Sequence, residues 1–145
     1  MLHVIGSLQR HWATVFPTSI PTLYPGTRLE TSSLPKWVEF WVDTWSYRRK
    51  RHSAPDTLRL AITVHCFTKA NNDTTQLRQL VDLVQSALRE QHIPITNAEA
   101  PTAPPLGLIT ILEPEVHDLS RVHAPVLRES LQHAVVTFRA TAQYC

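Results

Sequence analysis

The sequence predicts an α+β fold, a mainly antiparallel four-stranded sheet with a long hairpin, packed by two helices in the order α-β-β-α-β-β. Three observations carry that expectation. Apolar and polar residues alternate with a period of two in Trp37 to Tyr47, Asp56 to Thr68 and Leu131 to Gln143. Apolar residues recur at helical spacing in two other stretches, one opening the chain and one centred on Leu80. The 145 residues, 43% hydrophobic and 18% charged, suffice for a single domain, residues 1–145, with its own core.

Leu2, Ile5, Leu8, Trp12 and Val15 form the first helical stripe, which Pro17 stops. From Pro17 to Pro35 the chain is rich in Pro, Thr and Ser, with Pro25-Gly26 marking a turn. It reads as a connector held to the body by Leu23, Tyr24 and Leu29. Two strands follow. The first puts Val38, Phe40 and Val42 on one face, and the second, DTLRLAITVHCFT, puts Leu58, Leu60, Ile62, Val64 and Cys66 on one face. The simplest link between them is an antiparallel hairpin, with Arg48, Arg49, Lys50 and Arg51 at or near its tip and His52 behind them.

The second helix spans part of NNDTTQLRQLVDLVQSALREQHIP, with Asp73 and Gln76 as a capping pair and Leu77, Leu80, Val81, Val84 and Leu88 as its apolar stripe. Ile95 to Pro105 reads as a polar surface loop. LGLITILEPEV is a third strand that Pro114 ends or pushes to a sheet edge. In the fourth, Ala134, Val136, Phe138 and Ala140 face one way and His133, Thr137, Arg139 and Thr141 the other.

Composition narrows the function. A net charge of +2 excludes a polycation that coats nucleic acid wherever it meets it. The two cysteines, Cys66 in an apolar run and Cys145, form no CxxC or disulfide framework, which suggests a reducing compartment. The first residues show no export signal and no apolar run is long enough to cross a bilayer, so a soluble protein is expected.

No catalytic constellation is evident. TKANNDTTQ, where a phosphate-cradling loop would sit, contains no glycine. His117, Asp118 and His123 have neither helical i, i+4 spacing nor a zinc pattern, and surface histidines explain them better. His65 and His133 are placed to meet across the sheet, as packing alone would have it. There is no GxSxG elbow, and the Cys66 thiol should face the core. Neither an enzyme, a cofactor nor a metal is expected.

Opposite the apolar face of the first strand lie Trp37, Glu39, Trp41, Asp43, Trp45 and Tyr47. A sheet covered by one helix on each side would make this stripe core, with its carboxylates at the margins. Cover by a neighbouring subunit is the reading preferred, because aromatic surface of this extent marks interfaces.

Order and pattern together resemble the tail terminator proteins of long-tailed bacteriophages, also called tail-to-head joining or tail completion proteins. The resemblance lies in "LRLAITVHCFTKANNDTTQLRQLVDLVQSAL", a strand, a short polar turn and an amphipathic helix, and in the closing "LQHAVVTFRATAQY". With the hairpin it covers the chain from about Trp37 onward. It implies a homo-oligomeric ring, typically a hexamer, that caps the tail tube, ends its polymerisation and meets the head connector or head-closure protein at the neck of the virion. It implies assembly in the host cytoplasm and neither catalysis nor a cofactor. The Trp-rich first strand and the insert from Ile95 to Pro105 depart from the family's pattern.

Within that reading, Arg48 to His52 contact the tail tube, a neighbouring subunit or DNA passing through the channel, and a protein contact is preferred over phosphate. Two alternatives stand beside it: another neck component, such as a head-closure protein, and a small nucleic-acid-binding module. The module would stack bases on the tryptophans, where Glu39 and Asp43 would repel a phosphate backbone.

Overall fold

The computed structural model of the chain describes residues 2–48, 56–69, 74–120 and 131–144. Its elements are α1 (Leu2–Val15), β1 (Thr22–Leu23), β2 (Lys36–Arg48), β3 (Thr57–Thr68), α2 (Thr75–Leu88), β4 (His92–Ile95), β5 (Gly107–Asp118) and β6 (Gln132–Tyr144). They form one six-stranded sheet in the order β1-β2-β3-β6-β5-β4, curled into a half-barrel.

This corrects the expected four-stranded antiparallel sheet. The four long strands lie where the sequence reading places them, but β1 and β4 extend the sheet at its two edges, and β1 runs parallel to β2. β1 sits in the stretch read as a connector, and β4 spans the junction between the end of the second-helix segment and the loop read from Ile95. β1 has two residues, too few to alternate, and β4 contains Pro94, which a strand interior would not tolerate.

The alternation works because one face of the sheet is buried. Val38, Phe40, Leu60, Ile62, Val64, Cys66, Val136, Phe138, Ala140 and Ile109 join the buried side chains of α1 and α2 in one apolar cluster, so both helices lie on the same face. Helix α2 buries Leu77, Leu80, Val84, Ala87 and Leu88, nearly the stripe its sequence shows. Thr74 is its N-cap and makes no side-chain capping bond, while Asp73 of the expected capping pair lies outside the described residues.

Helix α1 is rotated from its expected face. It buries Val4, Ser7, Leu8 and Trp12, whereas Leu2 and Val15 are exposed. Trp12 sets the rotation: its ring stacks on Phe16 at 4.2 Å and meets Phe40 at 5.0 Å, and its Nε1 donates to Thr22 Oγ1 at 3.0 Å. Ser7 Oγ accepts the Thr96 N–H at 3.0 Å and so ties the helix to the end of β4.

Two irregularities shape the long strands. The β2–β3 register shifts between Thr44 and Ser46, and the β5–β6 register shifts between Ile111 and Pro114. Pro114 therefore does not end its strand; β5 runs on through it to Asp118.

Candidate interface on the open sheet face

With α1 and α2 on one side, no helix among the described residues covers the other. Strand register lays the residues of this open face in rows. Trp37 pairs with Phe67 and Phe67 with His133; Glu39 pairs with His65 and His65 with Val135; Trp41 pairs with Thr63 and Thr63 with Thr137; Asp43 pairs with Ala61 and Ala61 with Arg139. Leu108 and Leu112 of β5 are exposed.

One end of this face is an aromatic stack. Trp37 lies 5.1 Å from Phe67 at 13°, and Phe67 lies 4.3 Å from His133 at 12°. His65 closes the cluster, its Nδ1 2.9 Å from His133 Nε2. Lys69 Nζ stands 5.6 Å above the Trp37 ring and donates to the carbonyls of Thr31 and Ser32, each at 2.7 Å, which fixes the ammonium over the indole. The Trp37 Nε1–H is buried and has no acceptor among the described residues.

The stripe expected at a subunit boundary is thus divided. Trp37 is 6% exposed and packed within its own subunit, whereas Trp41 is 39% exposed, Asp43 is exposed and Glu39 is half-buried. The register shift after Thr44 sets Tyr47 opposite Leu58, a core position, so the backbone alternation does not run unbroken through Trp45 to Tyr47. Arg48 closes β2 opposite Thr57, and Arg49, Lys50, Arg51 and His52 lie outside the described residues.

Sequence reasoning missed Phe67, Leu108 and Leu112 on this face. Phe67 was legible as the odd-numbered partner of Thr63 and His65, but its contact with Trp37 needs the hairpin register. Leu112 is placed by the β5 register shift, which no composition signal marks.

Charges on the face are mixed, with Glu39, Asp43 and Glu115 against Arg59 and Arg139. Among the described residues, no three His, Cys, Asp or Glu side chains are grouped to hold a metal; His117 is exposed on β5, and His123 lies outside them. The Cys66 thiol is buried in the core, and desolvation pushes its pKa up to about 12, which leaves it a poor nucleophile. Among the described residues, no helix is long and apolar enough to cross a membrane.

No protein-family model and no curated protein matches the chain. Solved structures do. One, whose designation states no function, superposes with a TM-score of 0.64 at 8% identity, over 99% of this chain and 95% of that one, and so shares the fold. Another is the PVC sheath/tube terminator of an extracellular contractile injection system in its extended state, similar at a TM-score of 0.39 and 12% identity, over 96% of this chain and 55% of that one.

Proposed function

We propose that this chain is a structural protein of a phage-like tail, a terminator that closes the tail tube as a ring, stops its polymerisation and joins it to the head connector. The observation that carries the reading is the open sheet face. Among the described residues, α1 and α2 lie on one side and leave Trp41, Leu108 and Leu112 exposed on the other, and such a surface fits a partner subunit. The sequence resemblance from Trp37 onward supplies the kind of assembly, a cyclic homo-oligomer of about six subunits. Tail tube, head connector and transiently passing DNA are its partners, and it does no catalysis and needs no cofactor.

The test is native mass spectrometry of the purified chain, with electron microscopy of particles lacking it. A ring in solution or on the tail, and tails of uncontrolled length without it, are the expected outcomes. A chain that stays monomeric and enters no particle excludes the reading. Tight, salt-sensitive binding of single-stranded nucleic acid by the monomer would favour the stacking module instead.

A further inference from the structure

The connection from β4 to β5, Thr96 to Leu106, is far longer than the about two to five residues usual in a hairpin, and its own backbone orders it. The Ala100 N–H donates to Asn97 O at 3.2 Å, the Ala103 N–H to Ala100 O at 3.0 Å and the Leu106 N–H to Ile95 O at 2.8 Å. Asn97 Oδ1 accepts the Glu99 N–H at 3.0 Å. On this frame Pro101, Pro104 and Pro105 are exposed. Fixed rings on a bonded backbone make a knob that loses little entropy when it docks.

A cavity of about 230 Å³ lies between the end of α1 and the chain around β1. Buried Trp12 and Phe16 and half-buried Pro17, Pro21 and Tyr24 line it. The Trp12–Phe16 stack and the Trp12 bond to Thr22 hold its walls in place. It is smaller than the about 300–1,000 Å³ of small-molecule sites, so its size suits side chains of a docked segment. Aromatic walls are also the surface on which proline-rich segments pack.

Charge pairs the two features. From Thr96 to Leu106 the only charged residue is Glu99, and from Trp12 to Leu29 the only one is Arg28, directly after the Tyr24–Thr27 turn. Both are exposed, and neither is in an ion pair among the described residues. Arg10, which borders a cavity with Glu99, gives its guanidinium to Ser7 and Thr96 instead, and Glu30, beyond Arg28, accepts the Ser32 N–H.

We propose that the Pro101–Pro105 loop of one copy docks in the Trp12–Tyr24 pocket of the next, with Glu99 meeting Arg28. Within one subunit the loop borders the start of α1, at Leu2, His3 and Gly6, and contributes nothing to the lining of the pocket. The loop follows β4 and the pocket adjoins β1, the two opposite edges of the sheet. Each subunit therefore gives one knob and takes one, and a contact between two different patches passes from copy to copy around a ring, whereas a two-fold contact sets one patch against itself. The contact adds to the open sheet face; only its setting on a tail rests on the proposed function.

Photo-crosslinking from Thr102 in the full chain reads the contact, in a mixture of isotope-labelled and unlabelled protein and in cells producing the particle. A mixed-isotope cross-link to the stretch Trp12–Tyr24 is the expected result. A cross-link within one copy, a cross-link to another stretch, or none at all overturns the inference. Glu99→Lys and Arg28→Glu should each raise the dissociation constant between copies about fivefold at unchanged melting temperature, and the two in one chain should restore it. Losses that add in the double variant would show that the two charges never meet and overturn the pairing. Pro104→Ser with Pro105→Ser should lower the cross-link yield about tenfold, and an unchanged yield removes the prolines from the contact and overturns it as well. The two readings fail separately. A cross-linked pocket in a chain that no particle contains removes the proposed function and leaves the contact, while rings on tails that cross-link elsewhere remove the contact and leave the function.

Discussion

The ring of Trp37 stacks on that of Phe67 at 5.1 Å and 13°, across the β2–β3 hairpin, on the face opposite α1 and α2. Four residues along the same strand face, Trp41 is 39% exposed. Two tryptophans of one stripe thus differ in their surroundings: Trp37 is packed against Phe67 and Lys69, and Trp41 is partly exposed.

Trp37→Ala should therefore destabilise the monomer by about 3 kcal/mol, the low end for truncating a buried aromatic, because the stack also loses its Lys69 contact. Trp41→Ser should cost less than about 1 kcal/mol in the same denaturant titration and instead weaken self-association in native mass spectrometry. Equal loss of stability in both variants, with assembly unchanged, would show that Trp41 belongs to the fold alone.

Cys66 gives a pH dependence with a defined sign. Its pKa rises from 9.0 to about 12 on burial, so the folded chain keeps its thiol proton where the unfolded chain releases it. The stabilisation is full below pH 9 and is lost as pH rises toward 12. Denaturation between those limits should show falling stability that Cys66→Ala lessens, measured with Cys145 replaced by Ser in both proteins. Alkylation of Cys66 at pH 8 should follow the rate of unfolding rather than the concentration of reagent.

Gly107 opens β5 against Tyr144, and a Cβ there would run into the Gln143 carbonyl and the Tyr144 Cα, both backbone atoms of β6. Gly107→Ala should cost about 2 kcal/mol, since backbone cannot swing aside as a side chain would. A melting temperature equal to wild type would show that the β5–β6 pair separates there at little cost.

On the hairpin tip that the sequence predicts, neutralising Arg48, Arg49, Lys50 and Arg51 together should leave the monomer's stability within about 0.5 kcal/mol. Tail length control and head joining should fail in particles made with that variant. Particles of normal length that eject poorly would move the role of these residues to the channel, and fully infectious particles would leave them a solvated tip.

Period-two alternation and helical spacing were enough to locate β2, β3, β6 and both helices, because a half-buried strand and an amphipathic helix each stamp their repeat on the chain, and the apolar run LGLITIL located β5. The core placement of Cys66, the apolar stripe of α2 and the meeting of His65 with His133 follow from those repeats. What they could not carry is anything held by partners distant in sequence. Trp12 turned α1 away from its apparent stripe toward Phe40, and Thr22 and Leu23 became a strand only because Val38 and Glu39 lie beside them. Trp37 and Trp41 share a face by sequence alone; that one is packed and the other exposed was decided by Phe67 and Lys69, which reach Trp37 only once the hairpin has closed. Local periodicity sets which way a side chain points, while burial depends on what the folded chain brings to meet it.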